Sequence, residues 1–191
     1  MSMSSESDSP VARPAGIVQT MRNHPLVSFF VLAYAISWLA WSPVVFFGLP
    51  AFSPATHAPS WYILPGIAIG VTGSAFLMTA VTQGRAGVRR LLQRLVLWRV
   101  GLQWYAVAVL LIPLTEILVA VSLGSPGALG ALSPAALLLY PAAYGAHFFF
   151  GPLFEESGWR GFALPRMQHR HGPLLGTLLL GIIWSAWHFL L

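Results

Sequence analysis

The chain has 191 residues, of which 57% are hydrophobic and 8% charged, against roughly 25% charged in an average soluble domain. That composition excludes a water-soluble globule of this size, and the absence of cysteine excludes disulfides and thiolate metal ligands. The net charge of +5 rests on ten arginines and no lysine; because they flank apolar runs instead of forming a soluble basic face, their counterions are lipid headgroups and not nucleic acid.

In chain order, residues 1–24 are polar and serine-rich, and are expected to be a disordered cytoplasmic N-terminus. They lack the short apolar core and small-residue cleavage site of a secretory signal. The remainder, 25–191, reads as one transmembrane helical domain. Its first apolar run, Pro25 to Leu49, exceeds the roughly 20 residues that a helix needs to cross a bilayer. An uncharged loop over 50–60 leads to a second span, Trp61 to Thr82. There Gly66, Gly70 and Ser74 recur at four-residue spacing, a stripe of small residues along which another helix can approach closely. Residues 84–101 hold five arginines among Leu, Val and Trp. Arg85 with Arg89 and Arg90 with Arg94 stand at i,i+4, and Leu91, Leu92 and Leu95 supply an apolar side, so an interfacial amphipathic helix is expected. A third span covers 102–123, a fourth starts near Leu132, and a fifth apolar run begins at Pro173. The fold class is therefore all-α, a polytopic transmembrane bundle of about five spans.

Orientation follows from the arginines. With the N-terminus in the cytoplasm, Arg13 and Arg22, then Arg85 to Arg99, then Arg160, Arg166 and Arg170 all fall inside, while loops 50–60 and 124–131 carry no charge. The asymmetry predicts a multi-pass protein of the cell membrane with its N-terminus inside.

Chemistry concentrates in FEESGWRGFALPRM, residues 154–167. Ionised carboxylates are costly near hydrocarbon, so adjacent glutamates at the end of an apolar run call for a partner or a purpose. Glu156 and Arg160 are at i,i+4 with the acid first, the favoured order for an ion pair. Glu155 points about 100° away around the helix, over Trp159, with the character of a general base. The segment HRHGP, residues 169–173, has the composition of a helix end followed by a turn. Folding the chain there into an antiparallel hairpin puts Glu155, sixteen residues before His171, level with His188, seventeen after it. Both then lie about 24 Å of helix from the turn. A carboxylate and an imidazole at one level can share acid–base work, although His188 taken alone also reads as a histidine bonded to a carbonyl. His147, two turns before Glu155, reads as a packing residue. Glu116 in the third span is open to two readings, a functional carboxyl or a protonated one bonded to a neighbouring helix. His169 and His171 occupy different helix faces and read as turn residues, not as a metal pair.

EESGWRGFALPRM followed by GIIWSAWHFLL resembles the CPBP family of intramembrane glutamic proteases, which includes the CAAX prenyl endopeptidases and the Abi proteins. The family's first motif, EExxxR, is met by Glu155, Glu156 and Arg160; its second, an aromatic residue four before a histidine, by Trp184 and His188. The resemblance implies an endopeptidase in which Glu155 and His188 are catalytic and activate water, with Glu156, Arg160 and Trp184 supporting them. It implies no metal and no cofactor, and a peptide or membrane-anchored protein tail as substrate. A third family motif, a histidine four residues before Asn or Asp, would fall on a later helix, so the sequence is expected to be part of a longer protein. Two other readings stay open: a non-catalytic immunity or interaction protein on the same scaffold, and an ion path through Glu116 and Glu155.

Overall fold

Inside a bilayer every backbone N–H and C=O must be satisfied within the protein, and a helix does this within a single segment. The computed structural model describes residues 16–51, 61–124 and 151–191, with positions 134, 138, 139, 142, 145, 148 and 149 between them and the side chains of 61, 112, 116 and 120 excepted. Among the described residues there is no strand. The helices are α1 (Ile17–Asn23), α2 (Pro25–Phe47), α3 (Ser74–Leu95), α4 (Leu102–Ser122), α5 (Pro152–Gly158), α6 (Leu164–His171) and α7 (Pro173–Trp187). A π-helical stretch, Gly66–Gly73, runs directly into α3, a second, Trp159–Ala163, joins α5 to α6, and α7 ends in a 3₁₀ turn, His188–Leu190. Among the described residues four stretches are long and apolar enough to cross a membrane: Pro25–Phe47, Gly66–Leu95, Leu102–Val119 and Pro173–Leu190. The protein is an all-α, multi-pass membrane bundle. The fourth expected run, from Leu132, falls mostly outside the described residues.

Two sequence expectations need correction. Order begins before residue 24, because α1 is helical and Arg22 Nε donates to the Val81 carbonyl at 3.0 Å, tying it to α3. The arginine-rich helix is shorter than 84–101: it ends at Leu95, and Gly84 breaks it away from the span at φ 63° and ψ −162°, a conformation open essentially to glycine alone. Its apolar side is narrower too, with Leu91 buried and Leu92 half exposed.

The core forms where α2 meets the π-helical stretch. Phe29, Ala33, Ser37 and Trp41 of α2 are buried at four-residue intervals, the stripe a helix presents to one neighbour. Opposite them, a Cβ on Gly66 would collide with the Trp41 indole, and one on Gly70 with Ser37. Only glycine permits this approach. The gap is bridged by polar side chains: Ser37 Oγ donates to the Gly66 carbonyl at 2.6 Å and Trp41 Nε1 to the Ile63 carbonyl at 2.8 Å. The two arms of the C-terminal hairpin, α6 and α7, meet at Gly172, whose φ of 81° is again a glycine conformation. Gly176 then lies against the backbone of Met167 and Gln168, and Gln168 Nε2 donates to Thr177 Oγ1 at 3.0 Å.

Candidate active site

The glutamates ride on a helix that small residues press into the core. Pro152 opens α5, where its missing N–H costs nothing, and Ser157 and Gly158 are buried. A Cβ on Gly158 would strike Val71. Thr72 donates its hydroxyl to the Phe154 carbonyl, and Ser157 Oγ lies 2.9 Å from the same carbonyl and 3.1 Å from Thr72 Oγ1. This docking fixes which way the next turn faces. Trp159, fully buried, forms the floor: it stacks on Trp184 with ring centroids 5.8 Å apart and meets Phe29 and Trp187 edge-on at 5.7 and 5.6 Å.

Above that floor, Trp184 gathers the candidate residues. Its indole Nε1 donates to Glu155 Oε2 at 3.0 Å. Its carbonyl lies 3.1 Å from His188 Nδ1. The Arg160 guanidinium, ion-paired with Glu156, sits 5.4 Å from the Trp184 ring centroid, a cation–π distance. The other four residues nominated from the sequence thus touch Trp184 or are one contact away. Since a carbonyl can only accept, a neutral His188 in this contact carries its proton on Nδ1 and presents the lone pair of Nε2. The histidine is exposed, so the carbonyl bond orients the ring without burying it.

The level-matching comes out one turn lower than helix arithmetic expects. Glu155 meets Trp184, four residues nearer the hairpin turn than His188. The π-helical Trp159–Ala163 segment acts in this direction, because a widened turn takes up about one extra residue, roughly 1.5 Å of rise, and so accounts for part of the offset. Pro165, whose ring cannot donate to the carbonyl four residues back, stands just beyond the widened segment and is compatible with such a shift.

Residues not singled out by sequence hold the second arm. Tyr34 donates its hydroxyl to the Ile183 carbonyl, and Trp38 Nε1 donates to the Trp187 carbonyl at 2.9 Å. Trp41 packs on Trp187 at 4.5 Å. The final carbonyls of a helix lack donors of their own, and α2 supplies one to Trp187. The signal was present: a Tyr and a Trp at i,i+4 within an apolar run each bring a donor that needs an acceptor. His169 and His171 are exposed at the end of α6, and among the described residues no three His, Asp or Glu side chains come together to hold a metal ion. His147 and the Glu116 side chain lie outside the described residues.

Residues 136–191 match the family model of the type II CAAX prenyl endopeptidases, Rce1-like. A stretch of 36 residues is 50% identical to a CAAX prenyl protease 2 from Methanococcus maripaludis, covering 19% of this chain and 13% of that relative. The aligned part is thus a small share of the relative's length. No solved structure matches.

Proposed function

We propose, from the match of residues 136–191 to the Rce1-like CAAX prenyl endopeptidase model and the 36 residues shared with a CAAX prenyl protease 2, that this membrane protein is an intramembrane endopeptidase. Its substrate class is a peptide or protein tail held at the membrane, cleaved at the cytoplasmic end of the bundle, with the N-terminus on that side. The observation that carries the reading is the double contact of Trp184, which holds Glu155 through its side chain and orients His188 through its carbonyl.

In the proposed reaction a water between Glu155 and His188 attacks the scissile carbonyl carbon. Glu155 takes its proton as the C–O bond forms, and passes that proton to the amide nitrogen as the C–N bond breaks. A carboxylate has lone pairs for several donors, so the indole bond leaves capacity for a water. The indole N–H steers one carboxylate oxygen. His188, its Nδ1 engaged by the Trp184 carbonyl, uses Nε2 in this reading to bind the same water or to exchange the proton with it. Glu156 and Arg160 act on positioning: their pair braces the helix face and keeps the guanidinium over the Trp184 ring.

The test uses a short membrane-anchored peptide and parallel melting in detergent. Glu155→Gln and His188→Ala should each abolish cleavage while the protein stays folded and membrane-inserted. Full cleavage by Glu155→Gln would rule out the glutamate as base. A folded wild-type chain that cleaves no such peptide would instead favour a non-catalytic role on the same scaffold.

A further inference from the structure

A cavity of about 750 Å³ opens between the start of α2, the C-terminal half of α3 and α6. Its lining includes Arg90, Arg94, Arg166, Arg170, His24 and His169, and among the described residues no acidic one. Arg160 is paired with Glu156 outside this cavity, and among the described residues no carboxylate joins the four arginines in its lining. Guanidinium groups sharing one cavity repel one another unless an anion joins them; Arg90, Arg94 and Arg170 are exposed, and the repulsion is screened least at the half-buried Arg166.

The cavity also has built-in direction. Arg166 is half-buried, with Nη1 donating to the Phe162 carbonyl at 2.8 Å and its guanidinium 3.7 Å from the Phe162 ring centroid. One edge of the fork is thereby fixed, and a guanidinium has further N–H groups with which to bind an oxyanion. Burial lowers the Arg166 pKa from its usual value, a cost that a bound anion would offset. Pro25, Leu26 and Val27, the first turn of α2, line the same space, which adds the positive end of a 23-residue helix dipole.

We propose that this cavity is a binding site for a phosphate-bearing anion, held by Arg90, Arg94, Arg166 and Arg170. The same chemistry serves the headgroup of an anionic phospholipid and a soluble phosphate. The site is separate from the Glu155–Trp184–His188 cluster, since none of those three residues lines the cavity, and it does not depend on peptidase activity.

The experiment titrates the purified protein in zwitterionic detergent with short-chain phosphatidylglycerol, short-chain phosphatidylcholine or inorganic phosphate, following melting and retained lipid by native mass spectrometry. Arg90→Gln/Arg94→Gln and the single Arg170→Gln test the cavity. Arg85→Gln/Arg89→Gln is the charge-matched control on the same helix, because neither residue lines the cavity. Saturable stabilisation by phosphatidylglycerol and not phosphatidylcholine is expected, weakened about fivefold for each cavity arginine removed and unchanged in the control. Stabilisation by phosphatidylglycerol alone assigns a lipid headgroup, and stabilisation by inorganic phosphate assigns a soluble ligand. Equal losses in the cavity and control variants, or no binding of either anion by the wild type, would overturn the site.

Discussion

Two regions of the bundle handle charge in opposite ways. Around Trp184, two carboxylates, one guanidinium and one imidazole are tied to each other or to one aromatic residue. Between α2, α3 and α6, four guanidiniums and two imidazoles surround a cavity that no acid among the described residues lines. The first arrangement is internally answered, so it is suited to hold groups in fixed relation for chemistry. The second lacks an internal counterion and is suited to receive an anion. Both draw on the arginine-rich flanks of apolar runs, which shows that the same sequence feature, a charge beside a span, acquires its meaning from what the fold sets opposite it.

The comparison breaks most severely if the shared floor is removed. Trp159→Ala empties a fully buried site that packs on Phe29, Trp184 and Trp187, and a buried Trp→Ala change costs about 3–5 kcal/mol. A large fall in melting temperature in detergent is expected, with loss of cleavage. A change within a few degrees would mean that the aromatic stack does not position the site.

A finer cut separates packing from hydrogen bonding. Trp184→Phe keeps a ring against Trp159 and beneath Arg160 but removes the N–H that Glu155 accepts. Deleting one partner of such a bond costs about 1–3 kcal/mol, and a kcat reduced roughly tenfold corresponds to about 1.4 kcal/mol of that. Rates equal to wild type would show that the indole bond has no part in turnover. The smallest effect is expected from Glu156→Gln. Arg160 is 60% exposed and Glu156 26% exposed, so the pair contributes about 0–1 kcal/mol to stability. Melting should hardly move, and partial cleavage should survive. A collapse in stability would place the pair in a drier environment than its exposure indicates.

Much of this was readable before the fold. Spans followed from hydropathy, the Glu156–Arg160 pair from i,i+4 spacing, and the close approach at Gly66 and Gly70 from the absence of side chains to hold helices apart. What escaped were features made by long-range contacts. The π-helical segment between Glu155 and the hairpin turn depends on a hydrogen-bond register that regular helix arithmetic does not contain. Helix α1 was expected to be disordered because residues 1–24 are polar and serine-rich; its tie, Arg22 to Val81, spans 59 positions. The basic cavity joins three segments between residues 23 and 170, and single-segment reading could recognise only one of them as arginine-rich.

The arrangement at the site can be observed without any substrate. Trp184 is one of eight tryptophans, and its indole ¹⁵N–¹H signal in detergent is assignable by its loss in Trp184→Phe. With Glu155 as its acceptor, that signal should shift in Glu155→Ala and stay in place in Glu156→Ala. An indole signal indifferent to Glu155, or one that follows Glu156 instead, would contradict the placement of Glu155 against Trp184.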